Sequence, residues 1–470
     1  MRLLVFVAIL IGLAIILGGC ATPRLEPSVE VPGRFAQASP SEDEPEVAWW
    51  ESYGDPVLSS LIRRAAGANR DIKIAAERVR AARAGVTVSR SAMLPSVGAR
   101  ASASDQRTEY GAATKQEVPD VKSVSGGIDV SWEIDLAGRL LAGTSAAAAE
   151  ALAAQHGERG VRLLVLTDVA TNYFILVGAL RQLDTVRAIS AAHDETLRLV
   201  SARQRAGLAT AFDVERAQTD ALRARAAIPQ LETQAAVSRH RLAVLIGDQA
   251  FNAASAVVPS RGELVAPAPR PGQPAALLER RPDLLALKAQ LDAANWRRQQ
   301  AKAEYFPRLF ASAMFGSQTL ELNDIDVGAA RFTNVAGLLT MPIFNWGRTQ
   351  AINEIAEAGQ TQSLLRLEDG IVRALEDVEN ALVALRDERQ RATLLQSAAA
   401  SAQAAEGRAQ SLYNRGQIDL LPLLDAQRSR LAVQVSANHS STQLLLDSVQ
   451  LYKALGGGWQ VFEPTQKETS

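Results

Sequence analysis

Apolar positions recur along this chain with two different periods. Ile371, Leu375, Val378, Leu382 and Leu385 step by four and three, the spacing of a helix that packs in coiled-coil fashion. Leu176, Leu180 and Leu183 do the same earlier. No Pro interrupts Gly138 to Ile228 or Ile343 to Leu421, and both stretches are rich in the helix formers Ala, Leu, Glu, Arg and Gln. The pattern predicts long helices over about 139–205 and 348–414, each on the order of 100 Å at 1.5 Å per residue. Such helices make rods or tubes, not globules. Gly207 and Gly416 would end them, as Gly does just past a helix C-terminus, and a second helix starts a few residues later. The other period is two. Ser125, Asp129, Ser131 and Glu133 alternate with Gly126, Ile128, Val130 and Trp132, the mark of a half-buried strand. Strands are expected at about 95–107, 123–134, 307–319 and 331–342. Val335, Leu339 and Met341 take the apolar places in the last of them. Trp132, Phe306 and Trp346, near strand ends, would fit an aromatic girdle. Small and polar residues on one face with apolar ones on the other suit a barrel wall between lumen and lipid. A soluble hairpin packed on helices is the alternative.

The pattern occurs twice. "GLATAFDVERAQ" at 207–218 aligns with "GQIDLLPLLDAQ" at 416–427, an offset of 209 that also relates Leu245-Ile246-Gly247 to Ala454-Leu455-Gly456 and Gly138-Arg139 to Gly347-Arg348. Upstream, Leu94-Pro95 meets Phe306-Pro307 and Asn69-Arg70-Asp71 meets Arg281-Pro282-Asp283 at 212. The offset changes once, by three residues, between Pro95 and Gly138. A fixed self-match organises a whole chain. Here it gives two repeats, 55–247 and 270–456, with 248–269 between them and a tail over 457–470.

The ends add a destination. One Arg precedes an apolar run, Leu3 to Leu17, and Leu17-Gly18-Gly19-Cys20 comes after it. This reads as a signal peptide over 1–19. Its last residues resemble the lipobox of bacterial lipoproteins, which makes Cys20 the lipidated first residue of a segment over 20–54. Cys20 is the single Cys in 470 residues, so no internal disulfide and no Cys-rich metal site can form. Ala21, where an Asp would signal inner-membrane retention, points by the same resemblance to the outer membrane. The four His residues, 156, 193, 240 and 439, form no ligand spacing and read as surface or packing residues. Net charge is −1, so nothing suggests a nucleic-acid partner. After residue 20 no apolar run approaches the roughly 18 residues of a membrane helix, so a membrane would be crossed by strands.

Four strands cannot close a barrel, since the smallest have about eight, and open edges are not tolerated in lipid. Several chains must share one barrel. "LLERRPDL" at 277–284, "LTMPIFNWGR" at 339–348, "LLPLLDAQRSRL" at 420–431 and "LYKALGGGW" at 451–459 resemble the outer membrane factor family, the TolC-like channels, in its OprM/NodT-type lipoprotein branch. The resemblance covers nearly all of the mature chain. It implies a homotrimer whose 12-stranded transmembrane β-barrel, four strands from each chain, continues as a 12-helix periplasmic α-barrel. It further implies an equatorial collar from segments near 21–52, 248–275 and the tail, and partners in a periplasmic adaptor and an inner-membrane pump of the resistance-nodulation-division (RND) type. Drug or solvent efflux is the favoured cargo class; metal efflux and protein or peptide export are the alternatives.

The repeated phrase then falls at the periplasmic tips, where such a tube narrows. The resemblance places Leu421 and Asp425 on the constriction, with Arg428 one turn on as a tether. Arg216 stands where Asp425 does in the other copy and would be an ion-pair partner across neighbouring tips. A ring of Asp425 carboxylates would favour cations, and Leu421 would form an apolar plug. Asp419 and Pro422 depart from the commoner pattern. The plain reading of these residues is helix-start chemistry: Asp419 as N-cap, Pro422 in the first turn, Asp425 favoured by the helix dipole. Gly456-Gly457-Gly458 lacks the Lys-Ser/Thr of a phosphate loop and reads as a helix end. No catalytic constellation and no cofactor site emerges. A non-channel coiled-coil lipoprotein is the remote alternative.

Overall fold

Helices dominate the computed structural model, which describes residues 23–37, 46–107, 109, 114, 120–251, 257, 264–267 and 270–463. The expected signal peptide and Cys20 lie outside the described residues, as do most of 248–269 and the end of the tail. The helices are α1 (Pro56–Ala68), α2 (Arg70–Ser91), α3 (Arg139–Arg205), α4 (Ala211–Leu245), α5 (Pro282–Ala303), α6 (Arg348–Asn414) and α7 (Leu420–Ala454), with single turns at Trp49–Tyr53, Leu277–Arg280 and Trp459–Phe462. The duplication preserves length to the residue: α2 and α5 have 22 residues, α3 and α6 have 67, and α4 and α7 have 35.

The chain divides into two compact units. One holds Met1–Ser28, Arg78–Gln155 and Ala286–Glu368, and with them one antiparallel sheet in the order β1 (Ser96–Gln106), β2 (Val121–Ile134), β3 (Arg308–Leu322), β4 (Ile325–Thr340). Its register separates two faces. Ser96, Ser102 and Ser104 lie opposite Ser131, Ser125 and Ser123, and their hydroxyls hydrogen-bond in pairs at 2.7, 2.8 and 2.9 Å. The other face carries Val97, Val124, Ile128, Phe315, Val335 and Leu339, all exposed. A polar ladder backed by uncovered apolar side chains is what a wall between water and lipid requires. Both outer strands, β1 and β4, have an unpaired edge within the chain.

The second hairpin is longer than the sequence pattern predicts. β3 runs to Leu322 and β4 starts at Ile325, where the polar run before 331 reads as loop. Asn323 and Asp324, at φ 47° and 60°, close the two-residue turn that matches strand twist, so pairing continues up to it. In the first copy the connection spans 107–120. β4 ends at Thr340, which leaves Met341 just beyond the strand.

At the strand-to-helix junctions, Arg139 grips Glu133 with two bonds of 2.7 and 2.8 Å, and Trp132 donates its indole N–H to the Met93 carbonyl at 2.9 Å. Phe306 is half-buried. Trp346 is 90% exposed, with φ 54°.

The other unit, Val29–Glu77, His156–Leu285 and Asp369–Ser470, has the larger core. Trp49, Trp50, Leu58, Leu166, Tyr173, Phe174, Leu176 and Leu242 are buried in one cluster. Trp49 stacks on Tyr452 at 5.2 Å, and Trp50 on Phe462 at 5.7 Å. Asp55 caps α1 through the N–H of Val57 at 2.8 Å and also takes the Tyr173 hydroxyl at 2.5 Å. The segment before α1 is thus tied to the middle of α3.

One window of α3 is apolar and long enough to cross a membrane, with mean hydropathy 1.8 and 61% of it buried. This corrects the expectation that no such stretch exists after residue 20. Arg162 bounds the run and Asp168 interrupts it, so the sequence shows no unbroken apolar segment there. Burial of Leu166, Tyr173 and Phe174 in the cluster that holds Trp49 and Trp50 makes it a core helix.

Helices α3 and α7 touch closely at Gly178, where an added Cβ would lie 2.4 Å from Thr442 Oγ1 and 2.6 Å from its Cγ2. Gly178→Ala is expected to destabilise the protein by about 1–3 kcal/mol through overpacking, seen as a lower thermal midpoint in detergent. Adding Thr442→Ala should recover most of the loss; an unchanged midpoint in the single variant would refute the contact.

Candidate functional site at the helix tips

The two helix-turn-helix tips share a backbone and differ in their caps. After α3, Gly207 adopts φ 74°, and Leu208 N–H bonds Arg203 O at 2.8 Å while Gly207 N–H bonds Gln204 O at 2.9 Å. After α6, Gly416 adopts φ 70°, and Gln417 and Gly416 bond Leu412 O and Tyr413 O, both at 2.9 Å. This is the paired 6→1 and 5→2 closure of a Schellman end, which needs a left-handed residue and so favours Gly.

The helix starts then diverge. Thr210 caps α4 with a complete capping box: Asp213 N–H donates to Thr210 Oγ1 at 3.2 Å, and Thr210 N–H donates to Asp213 Oδ2 at 3.0 Å. The Thr210 N–H and hydroxyl hold the Asp213 carboxyl below the usual carboxylate range. Asp419 sits at the N-cap of α7 but makes no side-chain cap bond. The reason is in the sequence. An N-cap oxygen accepts from the second or third N–H of the helix, and the third residue of α7 is Pro422, which has none. Pro422, placed in the first turn as expected, removes one of the two N–H groups that a cap at Asp419 would use.

Residues from α3, α4, α6 and α7 meet behind the tips. Val200, Ala217, Tyr413, Leu420, Leu423 and Leu424 form a small apolar cluster, and Arg203 lies 4.7 Å above the Tyr413 ring. A polar layer lies next to it. Arg428 forms bonds of 3.1, 3.1 and 2.8 Å to both oxygens of Asp220 on α4. Asp220's side chain is 4% exposed and Arg428's 44%. Gln427 donates to Thr196 at 2.9 Å, and Arg430 pairs with Glu406. His193 is buried here, and burial pushes its pKa below the ordinary value despite the nearby Asp220 and Glu406.

The sequence-derived residues fall into three situations. Leu421 and Asp425 stand on the exposed side of the first turns of α7, Leu421 at 53% exposure. Neither carboxylate oxygen of Asp425 has a partner among the described residues. Arg428 is tethered, but to Asp220 and not to Asp425. Arg216 turns back over its own helix, 5.5 Å from the Phe212 ring. Sequence reasoning missed Asp220. The self-match held a signal for it, because the position equivalent to Asp220 in the second copy is Ser429: the acid exists only where Arg428 needs it. The distribution is asymmetric. Leu421 and Asp425 are exposed, while Arg428 on the same helix is tied to Asp220 on α4. Among the described residues no cluster of three or more His, Cys, Asp or Glu could hold a metal ion.

Comparison with known proteins bears on this arrangement. The profile of the family described as "Outer membrane efflux protein" matches residues 61–248 and again 274–457. The chain is 33% identical over 463 residues to the pyoverdine export outer membrane protein OpmQ of Pseudomonas aeruginosa, covering 96% of each chain. It is 28% identical over 454 residues to the probable outer membrane lipoprotein SilC of Salmonella typhimurium, covering 94% of this chain and 97% of that one. The solved structure of the outer-membrane channel OprN superposes with a TM-score of 0.84 at 27% identity, over 94% of this chain and 100% of that one. Two family matches, one per repeat, together span well over half of the sequence: the chain belongs to the outer membrane efflux protein family.

Proposed function

We propose that the protein is the exit duct of a tripartite efflux system. Three copies assemble, each giving four strands to one transmembrane barrel and its long helices to the periplasmic tube beneath. The observation that carries this reading is the sheet itself. Its first hairpin has a polar serine face backed by exposed apolar side chains, apolar side chains stay exposed on the second hairpin, and the sheet has two unpaired edges; edges in lipid must be paired. An inner-membrane pump of the RND type and a periplasmic adaptor deliver the cargo. The cargo is a small organic molecule, in keeping with the pyoverdine export protein among the relatives; metal ions and peptides are the competing classes. The duct sits in the outer membrane and is anchored by lipid on Cys20, a reading supported by the lipobox and by the lipoprotein SilC.

The tips are the gate. Three copies of Asp425 converge on the axis as a ring of carboxylates, with Leu421 one turn earlier as an apolar plug. Arg428 holds each moving hairpin through Asp220. Arg216 is the ion-pair partner for a neighbour's Asp425.

Single-channel conductance in planar bilayers tests the gate. Wild-type trimers should pass little current, and Asp425→Ala should raise it several-fold; equal conductance would leave Asp425 a helix-start acid. Arg428→Ala should also open the channel and lower the thermal midpoint. Its cost falls below the roughly 3–5 kcal/mol of a fully buried pair, because Arg428 keeps 44% side-chain exposure. Arg216→Ala with no leak removes that residue from the gate. Absence of conductance from a folded trimer in every variant argues against a channel.

The anchor is tested separately. Cys20→Ser should abolish labelling by radioactive palmitate and leave the unprocessed precursor. Labelling that persists would refute the assignment.

A further inference from the structure

Residues 23–37 form no helix or strand, yet side chains take up their backbone groups at intervals. Asn295 on α5 and Gln360 on α6 are 6% and 5% exposed. Asn295 Oδ1 accepts the Leu25 N–H at 3.2 Å, and its Nδ2 donates to Leu25 O at 3.5 Å. Gln360 Nε2 donates to Pro23 O at 3.2 Å and to Asn295 Oδ1 at 2.7 Å. Between them Arg24 lies 4.6 Å above the Trp296 ring. Further along α6, Glu368 Oε1 accepts both the N–H and the hydroxyl of Ser28 at 3.0 Å.

Buried amides are costly unless their bonds are made. Here the strap's own backbone makes them. Gln360 and Glu368 are eight residues apart, a little over two helical turns, so they present one face. The strap runs along that face in the same direction as α6, since Pro23 meets Gln360 and Ser28 meets Glu368.

We infer that Asn295, Trp296, Gln360 and Glu368 form a seat for the chain's own N-terminal strap, and that the seat sets where the acyl group of Cys20 enters the bilayer. This second part rests on the lipidation of Cys20 proposed above. Cys20 precedes Pro23 by three residues, a reach of at most about 10 Å. Gln360 lies twelve residues into α6, roughly 18 Å from its start. Extended in the strap's direction, the three residues carry the lipid to about 8 Å from the start of α6, beside its first turns and next to the corner that precedes them. That is where Ile343, Phe344 and Trp346 are exposed at 95%, 73% and 90%, at the corner between β4 and α6. The corner's apolar side chains and the acyl chains occupy one level of the same leaflet. Asn295, Gln360 and Glu368 are positioning residues in this scheme.

Trypsin reads the seat directly, on full-length trimer purified in detergent, where the periplasmic side is open to the protease. Arg24 is held in the seat by Trp296; Arg34, further along, is exposed. In Asn295→Ala/Gln360→Ala, cleavage after Arg24 should accelerate by about tenfold or more, the factor expected when hydrogen bonds of ordinary strength are lost. Cleavage after Arg34 should keep its wild-type rate. Glu368→Ala, a milder change at an exposed contact, should give a smaller acceleration of the same sign. An unchanged rate at Arg24 in both variants overturns the seat. Equal acceleration at Arg24 and Arg34 also overturns it, because general loosening would then be the cause. Intact-mass measurement of the purified chain separates the two readings. A chain without the lipid mass removes the anchor part, while the ratio of the two cleavage rates still decides the seat.

Discussion

An open sheet edge cannot be left in lipid, and this constraint governs the rest of the molecule. Each unpaired backbone group there costs several kcal/mol, and β1 and β4 both expose such rows within the chain. Neither strand contains a Pro, and Phe332–Thr340 carries no charge; Pro and charge are the devices by which soluble sheets blunt their edges. The edges must be met by other copies. Closure also means that the helices that leave the strands stand side by side.

The duplication serves this geometry while allowing the copies to differ. Helix lengths are preserved to the residue, because a longer helix in one copy would push its tip out of the ring. Differences between the copies leave these helix lengths alone. One is the outer hairpin turn, two residues in the second copy and a longer connection in the first. Another is the exchange of charges behind the tips, where Asp220 and Arg428 occupy positions that are not equivalent under the repeat. A pair of this kind joins unlike halves and cannot join like ones, so it fixes which hairpin packs against which.

Much of the fold was legible from pattern alone. Heptad steps marked α3 and α6, and alternation marked β2, because each exposes one face to a different medium. The apolar window of α3 was missed because Asp168 breaks the run, although it is ion-paired with Arg241. The start of β4 was missed because Asn323-Asp324 reads as loop until its positive φ values show a tight turn. At the tips, Gly207, Gly416 and the exposed places of Leu421 and Asp425 followed from the self-match. The partner of Asp220 and the seat around Asn295 did not, although the self-match shows that Asp220 has no acidic counterpart at Ser429. Both depend on residues more than two hundred positions apart, and no local rule pairs a buried Asp with an Arg on another hairpin. Asp419 shows the opposite failure: a sound local rule was cancelled by Pro422, three residues away.

The unequal caps of the two tips break a symmetry. Closed around an axis, three chains present six similar turns, and the duplication alone would make them equivalent. Thr210 and Asp213 lock the start of α4, whereas the start of α7 has no side-chain cap and frays at little cost. The six turns thus alternate between stiff and soft. In the gate proposed above, motion would concentrate in the soft set, and the ring would dilate as an iris of three leaves sliding against three fixed posts.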